Sequence, residues 1–346
     1  MAKILAIRFS ALGDVAMTVP VLYSFAQAYP QHQIVVLSRP FMKSLFANAP
    51  SNLTFRGADV KKDYAGTKGL IRLFSELKAE KFDAVADLHD VLRSKFLRFC
   101  FRINGVSTAR IDKNRKARKK LISLSHKALC QQPTSFERYT HVFNKLGYTF
   151  HLNFQSIYGN GKGDISRFES LAGHKQANDK WIGIAPFAAH QGKIYPLPLM
   201  EQVIQKLSDK ENQRLFLFGG GPKEITQLKQ WADMFPNTIS IAGTCNMNQE
   251  LALMSHLDIM LSMDSGNMHL ASLVGTPVIS IWGATHPFAG FMGWNQHIDN
   301  AVQRDLPCRP CSIFGNKPCH RKDYACLNEI SPEQIIKKIE KWLYQD

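Results

Sequence analysis

The stretch Leu257–Thr285, LDIMLSMDSGNMHLASLVGTPVISIWGAT, constrains the fold more than any other part of the chain. An apolar run of strand length ends in Asp264. Ser265 and Gly266 follow, then an amphipathic stretch, then Pro277 and a second apolar run. The pattern reads as strand–turn–helix–strand, and strands that alternate with helices form crossover units in a mainly parallel sheet. Asp264 then falls at the carboxyl end of a strand, where open α/β sheets bind their ligands.

The same alternation runs through most of the chain. In the first half, KILAIRF (Lys3–Phe9), QIVVLS (Gln33–Ser38) and FDAVADL (Phe82–Leu88) read as strands, and GVSTARI (Gly105–Ile111) adds a further candidate. Helices are predicted over Val15–Tyr29, Phe41–Asn48, Lys68–Glu80, Val91–Arg102 and Phe136–Leu146. Tyr158–Asp179 is polar and glycine-rich and is the best linker candidate, part of it helical. The alternation then restarts with WIGIAP, RLFLFGGGP and TISIAG as strands, and with helices near Leu199–Lys210, Lys223–Met234 and Gln249–His256. A chain of 346 residues exceeds what one core usually serves. We therefore expect two open α/β domains, over residues 1–160 and 175–330, with ligands bound in the cleft between them. The closing segment 331–346 is expected to be a helix that packs back on the N-terminal domain. Ser331 is its N-cap, Pro332 its first position, and Ile335, Ile336, Ile339, Trp342 and Leu343 its apolar face.

Composition is that of a globular protein, 45% hydrophobic and 21% charged. No apolar run is long enough to span a bilayer, and Arg8 and Asp14 interrupt the apolar residues of the first segment, so no signal peptide is expected. The expected location is the cytoplasm. Basic residues outnumber acidic ones by 43 to 28, a net charge of +15 that favours anionic partners. Eight of the basic residues lie in Arg110–Lys127, RIDKNRKARKKLISLSHK. A solvated face is one reading and an anion-binding surface the other. Nucleic acid ranks lower, because the chain carries no nucleic-acid-binding motif and no regular aromatic interleaving.

Ser265 and Gly266 lie where a helix begins, and exposed amides with the helix dipole favour an anion there. Asp264 would repel a bare phosphate but suits neighbouring sugar hydroxyls, so the pair fits a phosphorylated sugar. The local alternative is that Asp264 caps the helix. Ile7–Leu22 has a strand, a short turn and a helix, but no GxGxxG spacing, so a dinucleotide fingerprint is not supported. Ile184–Pro196 places Lys193 on a loop after a strand, and FGGGPKE (Phe218–Glu224) opens a helix with a glycine turn.

In this order, SALGDVAMTVPVL, GKIYP, FGGGPKE and MDSGNMHLASLVGTPVISIWGATHP resemble glycosyltransferase family nine, the ADP-heptose:lipopolysaccharide heptosyltransferases and their relatives. The resemblance runs from Met1 to about Trp342 and is most specific at Gly13–Asp14 and Asp264–His269. It implies a GT-B fold of two Rossmann-like doubly wound domains facing across a cleft, an ADP-activated sugar, inversion at the anomeric carbon, no metal and no cofactor. By position, Asp14 corresponds to the general base and Lys193 to the contact with the donor phosphates. Glu224 corresponds to the ribose contact, Met247 to the adenine edge and Asp264 to a sugar hydroxyl. Ser265, Gly266 and His269 correspond to the phosphate-binding helix start. Ala188 and Ala189 depart from the hydroxyl residues common near the phosphates, and Tyr195 from a common tryptophan.

Inverting transfer needs a base for the acceptor hydroxyl and positive charge for the departing diphosphate. Asp14 and Lys193 are the candidates, each with a plainer alternative: Asp14 as the N-cap of the helix at Val15, Lys193 as a solvated loop residue. Gly13, Arg110, Arg115, Lys116, Arg118, Lys119 and Lys120 would line the acceptor side in the first domain. They suit an anionic lipid-linked glycan and a peripheral contact with the inner membrane. The expected activity is transfer of a heptose-like sugar from an ADP donor to a lipopolysaccharide-core-type acceptor. A transferase with another nucleotide sugar, or a non-catalytic binder of nucleotide or anionic polymer, is the alternative. Cys308, Cys311, Cys319 and Cys326 lie within 19 residues, and free thiols, zinc and disulfides all remain open for them. Cys100, Cys130 and Cys245 read as ordinary buried or partly buried residues.

Overall fold

The apolar run at the chain start forms β1 (Lys3–Ile7), buried almost throughout, as the central strand of a parallel sheet must be. A computed structural model describes residues Met1–Tyr344. Gln345 and Asp346, the last two residues of the predicted C-terminal segment, lie outside the described residues. The chain forms two compact units.

In the first unit β1 is followed by α1 (Leu12–Ala16), α2 (Val19–Ala28), β2 (Gln33–Ser38), β3 (Leu53–Gly57), α3 (Gly66–Ala79), β4 (Ala84–Asp87), α4 (Leu92–Ile103) and β5 (Ser107–Arg110). The sheet order is β3-β2-β1-β4-β5, with every pairing parallel. The helix predicted over Val15–Tyr29 is divided in two. Thr18 Oγ1 donates to the Val15 carbonyl at 2.7 Å, and Pro20 is the second residue of the second helix, in the first turn where its missing N–H costs nothing. The helix predicted over Phe41–Asn48 is a 3-10 turn, Pro40–Phe46. Leu5, Ile7, Val35, Leu37, Val85, Leu97 and Phe101 share one core cluster.

Next come α5 (Arg115–Leu121), α6 (Ser135–Asn144) and α7 (Ser166–Ala172), the last within the predicted linker. Here one segment departs from the continuous first domain expected over residues 1–160. Residues 133–157, with α6, belong to the first unit, but Asn114–Gln132, with α5, groups with the second. Lys127 Nζ donates to the carbonyls of Pro307 and Arg309 at 2.9 and 2.8 Å, and Arg118 lies over the Phe291 ring.

The second unit continues through β6 (Lys180–Ala185), α8 (Leu197–Ser208), β7 (Gln213–Leu217), α9 (Pro222–Met234), β8 (Thr238–Ser240), α10 (Met247–Met254), β9 (Ile259–Met263), α11 (Gly266–Leu273), β10 (Val278–Trp282), β11 (Ala301–Gln303), α12 (Ala325–Asn328) and α13 (Pro332–Tyr344). Its sheet is parallel in the order β11-β10-β9-β6-β7-β8. In each sheet the strand order reverses beside the unit's first strand, at β1/β4 and at β6/β9, and ligands favour the carboxyl ends of strands at such switch points.

The closing helix corrects a second expectation. Ile335, Ile336, Ile339 and Leu343 of α13 share the core of the second unit with Met200, Val203, Ile204 and Leu207 of α8. Tyr195 is fully buried there, and its hydroxyl donates to the Ile330 carbonyl at 2.7 Å, which holds the chain just before α13. Trp342, predicted on the buried face, is 47% exposed. Ile339→Ala is therefore expected to destabilise the protein by about 2–5 kcal/mol and Trp342→Ala by less than about 1 kcal/mol in denaturant unfolding. Equal, small costs would contradict the docking of α13.

Candidate active site

Ala185 ends β6, and the loop beyond it closes in a short 3-10 turn, Gln191–Lys193. Asp264 follows β9, the neighbouring strand across the switch point. Lys193 Nζ meets Asp264 Oδ2 at 3.1 Å, with side-chain exposures of 16% and 5%. Thr285, after β10, donates its hydroxyl to the same oxygen at 2.8 Å. Lys193 is thus no solvated loop residue, and the bonds of the Asp264 carboxylate run to Lys193 and Thr285, across the strand ends. Gly315 fits against the Lys193 stem: a Cβ there would lie 2.4 Å from Lys193 Cγ, and its φ is +73°.

Ser265 stands at the N-cap of α11 without a side-chain capping bond, and its hydroxyl lies 3.3 Å from Ser262 Oγ. By contrast, the side chains of Thr134 and Asn246 cap α6 and α10. The α11 start, with Gly266 as its first residue, therefore keeps its amides clear of a side-chain cap, which suits an anion. His269 is buried on the same helix. Glu224 lies in the first turn of α9 and accepts from the Gly220 N–H at 2.8 Å. Met247 is the half-buried first residue of α10. The sequence reading missed Glu250 in the same turn, whose carboxyl burial pushes up to about 7.

In the first unit Gly13 and Asp14 lie within α1, Asp14 at its third position. Asp14 is therefore not the N-cap of a helix at Val15. Its Oδ2 accepts from the Ala11 N–H at 3.1 Å and pairs with Arg8 Nη2 at 2.7 Å. Arg8 is buried, and its Nη1 donates to the Leu88 carbonyl at 2.7 Å, which ties the ends of β1 and β4 together. Beside it the Nδ1 of His89 accepts from the Phe9 N–H at 3.3 Å, and burial lowers that imidazole to about 3, so it is neutral. Asp87 is fully buried, accepts from the amides of His89 and Asp90 and pairs with Arg98 at 2.6 Å. Arg110 reaches Asp90 at 3.4 Å. A charged residue closing an apolar strand, as in ILAIRF and AVADLHD, was the available signal for Arg8 and Asp87.

The proposed acceptor-side set divides between the two units. Gly13 and Arg110 belong to the first unit, whereas Arg115, Lys116, Arg118, Lys119 and Lys120 lie on α5 in the second. The cysteines Cys308, Cys311, Cys319 and Cys326 line one small cavity with Arg309 and His320, and all are free thiols. Among the described residues no group of three or more His, Cys, Asp or Glu is placed to hold a metal, so the geometry does not carry the zinc reading. Burial pushes the Cys326 thiol up to about 11 and raises Cys311, which keeps both protonated near neutrality. Arg309 anchors this loop through the carbonyls of Gly283 and Thr285 at 2.6 and 3.0 Å.

Two outcomes follow from these charges. Lys193→Ala leaves a buried carboxylate without its partner and is expected to cost about 3 kcal/mol of stability. In a double-mutant cycle with Asp264→Ala the coupling is expected to exceed about 1 kcal/mol, and additive costs would contradict the pair. For Glu250, the unfolded carboxyl ionises near 4.5 while the folded one holds its proton to about 7. Its contribution to stability therefore falls as pH rises between those values and is level above them. Glu250→Gln should raise the melting temperature more at pH 8 than at pH 5, and an equal effect at both would show that the group is not desolvated.

A family model, glycosyltransferase family 9 (heptosyltransferase), matches residues 70–320. Lipooligosaccharide heptosyltransferase 2 of Campylobacter jejuni is 22% identical, the match covering 95% of this chain and 96% of that protein. Lipopolysaccharide heptosyltransferase 3 of Escherichia coli is 25% identical, covering 96% of each. The solved structure of E. coli heptosyltransferase WaaC with ADP-2-deoxy-2-fluoro heptose superposes with a TM-score of 0.68 at 18% identity, covering 98% of this chain and 99% of that one. With its two parallel Rossmann-like sheets and a family match over well over half its length, the chain belongs to glycosyltransferase family 9, the heptosyltransferases.

Proposed function

We propose that the protein transfers a heptose from an ADP-activated donor to a lipopolysaccharide-core-type acceptor, with inversion at the anomeric carbon. The observation that carries the reading is the Lys193–Asp264 pair at the strand ends of the second unit, beside the α11 start. A cation and free amides suit a diphosphate, and a carboxylate beside them suits sugar hydroxyls. The donor chemistry agrees with the E. coli relative solved with an ADP-heptose analogue.

In this reading Glu224 holds the ribose, Met247 meets the adenine edge, and Ser265, Gly266 and His269 surround the phosphates. Asp264 gives up part of its pairing with Lys193 to the sugar hydroxyls as Lys193 turns to the diphosphate. An acceptor oxygen attacks the anomeric carbon, the bond from that carbon to the β-phosphate oxygen breaks, and ADP leaves from the opposite face. Asp14 takes the acceptor proton, with Arg8 fixing the carboxylate's orientation. Lys193 and the α11 amides neutralise the charge on ADP. Gly13, Arg110 and the α5 basic residues favour an anionic acceptor, which is carried on a lipid and met at a membrane surface.

ADP is expected to raise the melting temperature more than UDP, GDP, CMP or NAD, and equal shifts from all five would contradict the adenine site. Asp14→Asn should cut turnover about a hundredfold or more while ADP affinity stays within about threefold. Because the substitution also removes the charge opposite buried Arg8, the melting temperature must be read alongside. Near-normal turnover in a stable variant would remove Asp14 as the base.

A further inference from the structure

The first unit carries a helix with two apolar faces. On α4, Ser94, Leu97 and Phe101 are buried against the core. Leu92, Phe96, Phe99 and Ile103 recur at spacings of four, three and four, so they form a second stripe within about 60° of one another on the opposite side. Phe96 is half-buried and packs against the core of the first unit, so the outward part of the stripe is Leu92, Phe99 and Ile103, which are 85%, 61% and 66% exposed. No acidic residue lies on α4. Lys95 and Arg102 flank the stripe on one side and Arg93 on the other. Arg93 and Arg102 are exposed and have no ion-pair partner among the described residues, while Lys95 is 4.0 Å from Asp90.

We propose that α4 seats the protein on an anionic lipid surface, with Leu92, Phe99 and Ile103 at the headgroup boundary and Arg93, Lys95 and Arg102 on the phosphates. An exposed apolar stripe three turns long is what a lipid-docking helix presents, and flanking cations select anionic headgroups. Charge decides against a second copy of the chain on this face, because pairing α4 with itself would bring six cations together with no carboxylate from either helix. The site differs from the basic run at Arg110–Lys127, whose helix α5 presents charge without such a stripe. The inference deepens the reading of a lipid-borne acceptor.

The test is flotation of the full-length protein with phosphatidylcholine vesicles, with and without phosphatidylglycerol. No donor or acceptor is present, so the result is independent of transfer, which a lipid-free acceptor measures separately. Wild type is expected to float with the anionic vesicles and not with the neutral ones. Leu92→Ser/Phe99→Ser/Ile103→Ser should weaken partitioning by about tenfold or more, with the melting temperature unchanged because all three side chains are exposed. Arg93→Glu/Arg102→Glu, which leaves the apolar stripe intact, should do the same. Failure of wild type to float, equal binding to both vesicles, or undiminished binding by both variants would overturn the proposal. So would a wild-type dimer that the triple substitution converts to monomer, since a second copy would then occupy the face.

Discussion

The ion pair between Lys193 and Asp264 joins two loops that leave adjacent parallel strands, and the site proposed for the donor in the second unit depends on it. Neither group tolerates burial alone, and at 3.1 Å each stabilises the other. The pair also keeps a cation and a carboxylate ready at the switch point of the sheet, where a ligand can exchange its own charges for theirs. Gly315 and Thr285 serve this arrangement from later loops, one by leaving room for the lysine stem and the other by bonding the carboxylate.

The first unit uses the same device with different residues. Arg8, at the end of β1, holds Asp14 on one side and the Leu88 carbonyl beyond β4 on the other. A carboxylate on a five-residue helix, here the proposed base, would otherwise be poorly fixed. Asp87 and Arg98 brace the neighbouring strand end, and Asp90 adopts a left-handed backbone with φ +48° while gathering Arg98 and Arg110. Burial would raise the Asp90 carboxyl, yet the bond from Arg98 and the charges of Lys95, Arg98 and Arg110 hold it low. Strain of this kind persists where surrounding contacts over-determine it, as they do here.

Much of this was legible in the sequence because buried parallel strands are short apolar runs with turn residues at their ends. β1, β2, β4, β6, β7, β9 and β10 were all visible for that reason. β3 and β11 were not: LTFRG is an edge strand with a half-exposed pattern, and AVQ is too short to show periodicity. The family resemblance singled out Asp14 and Lys193, and the end of an apolar run singled out Asp264. Neither signal could show that Lys193 and Asp264 pair, since 71 residues separate them and only the sheet order brings them together. The same limit explains the misplaced segments. Nothing local in Asn114–Gln132 or in α13 reveals which core receives it, because an amphipathic face specifies that it must be covered and not by what.

The most direct test is the structure of the protein with ADP bound. The account predicts the β-phosphate within hydrogen-bond distance of both Lys193 Nζ and the first amides of α11, the adenine beside Met247, and a Lys193–Asp264 distance longer than 3.1 Å. ADP bound elsewhere, or bound with Lys193 still held on Asp264 and no phosphate at α11, would contradict it.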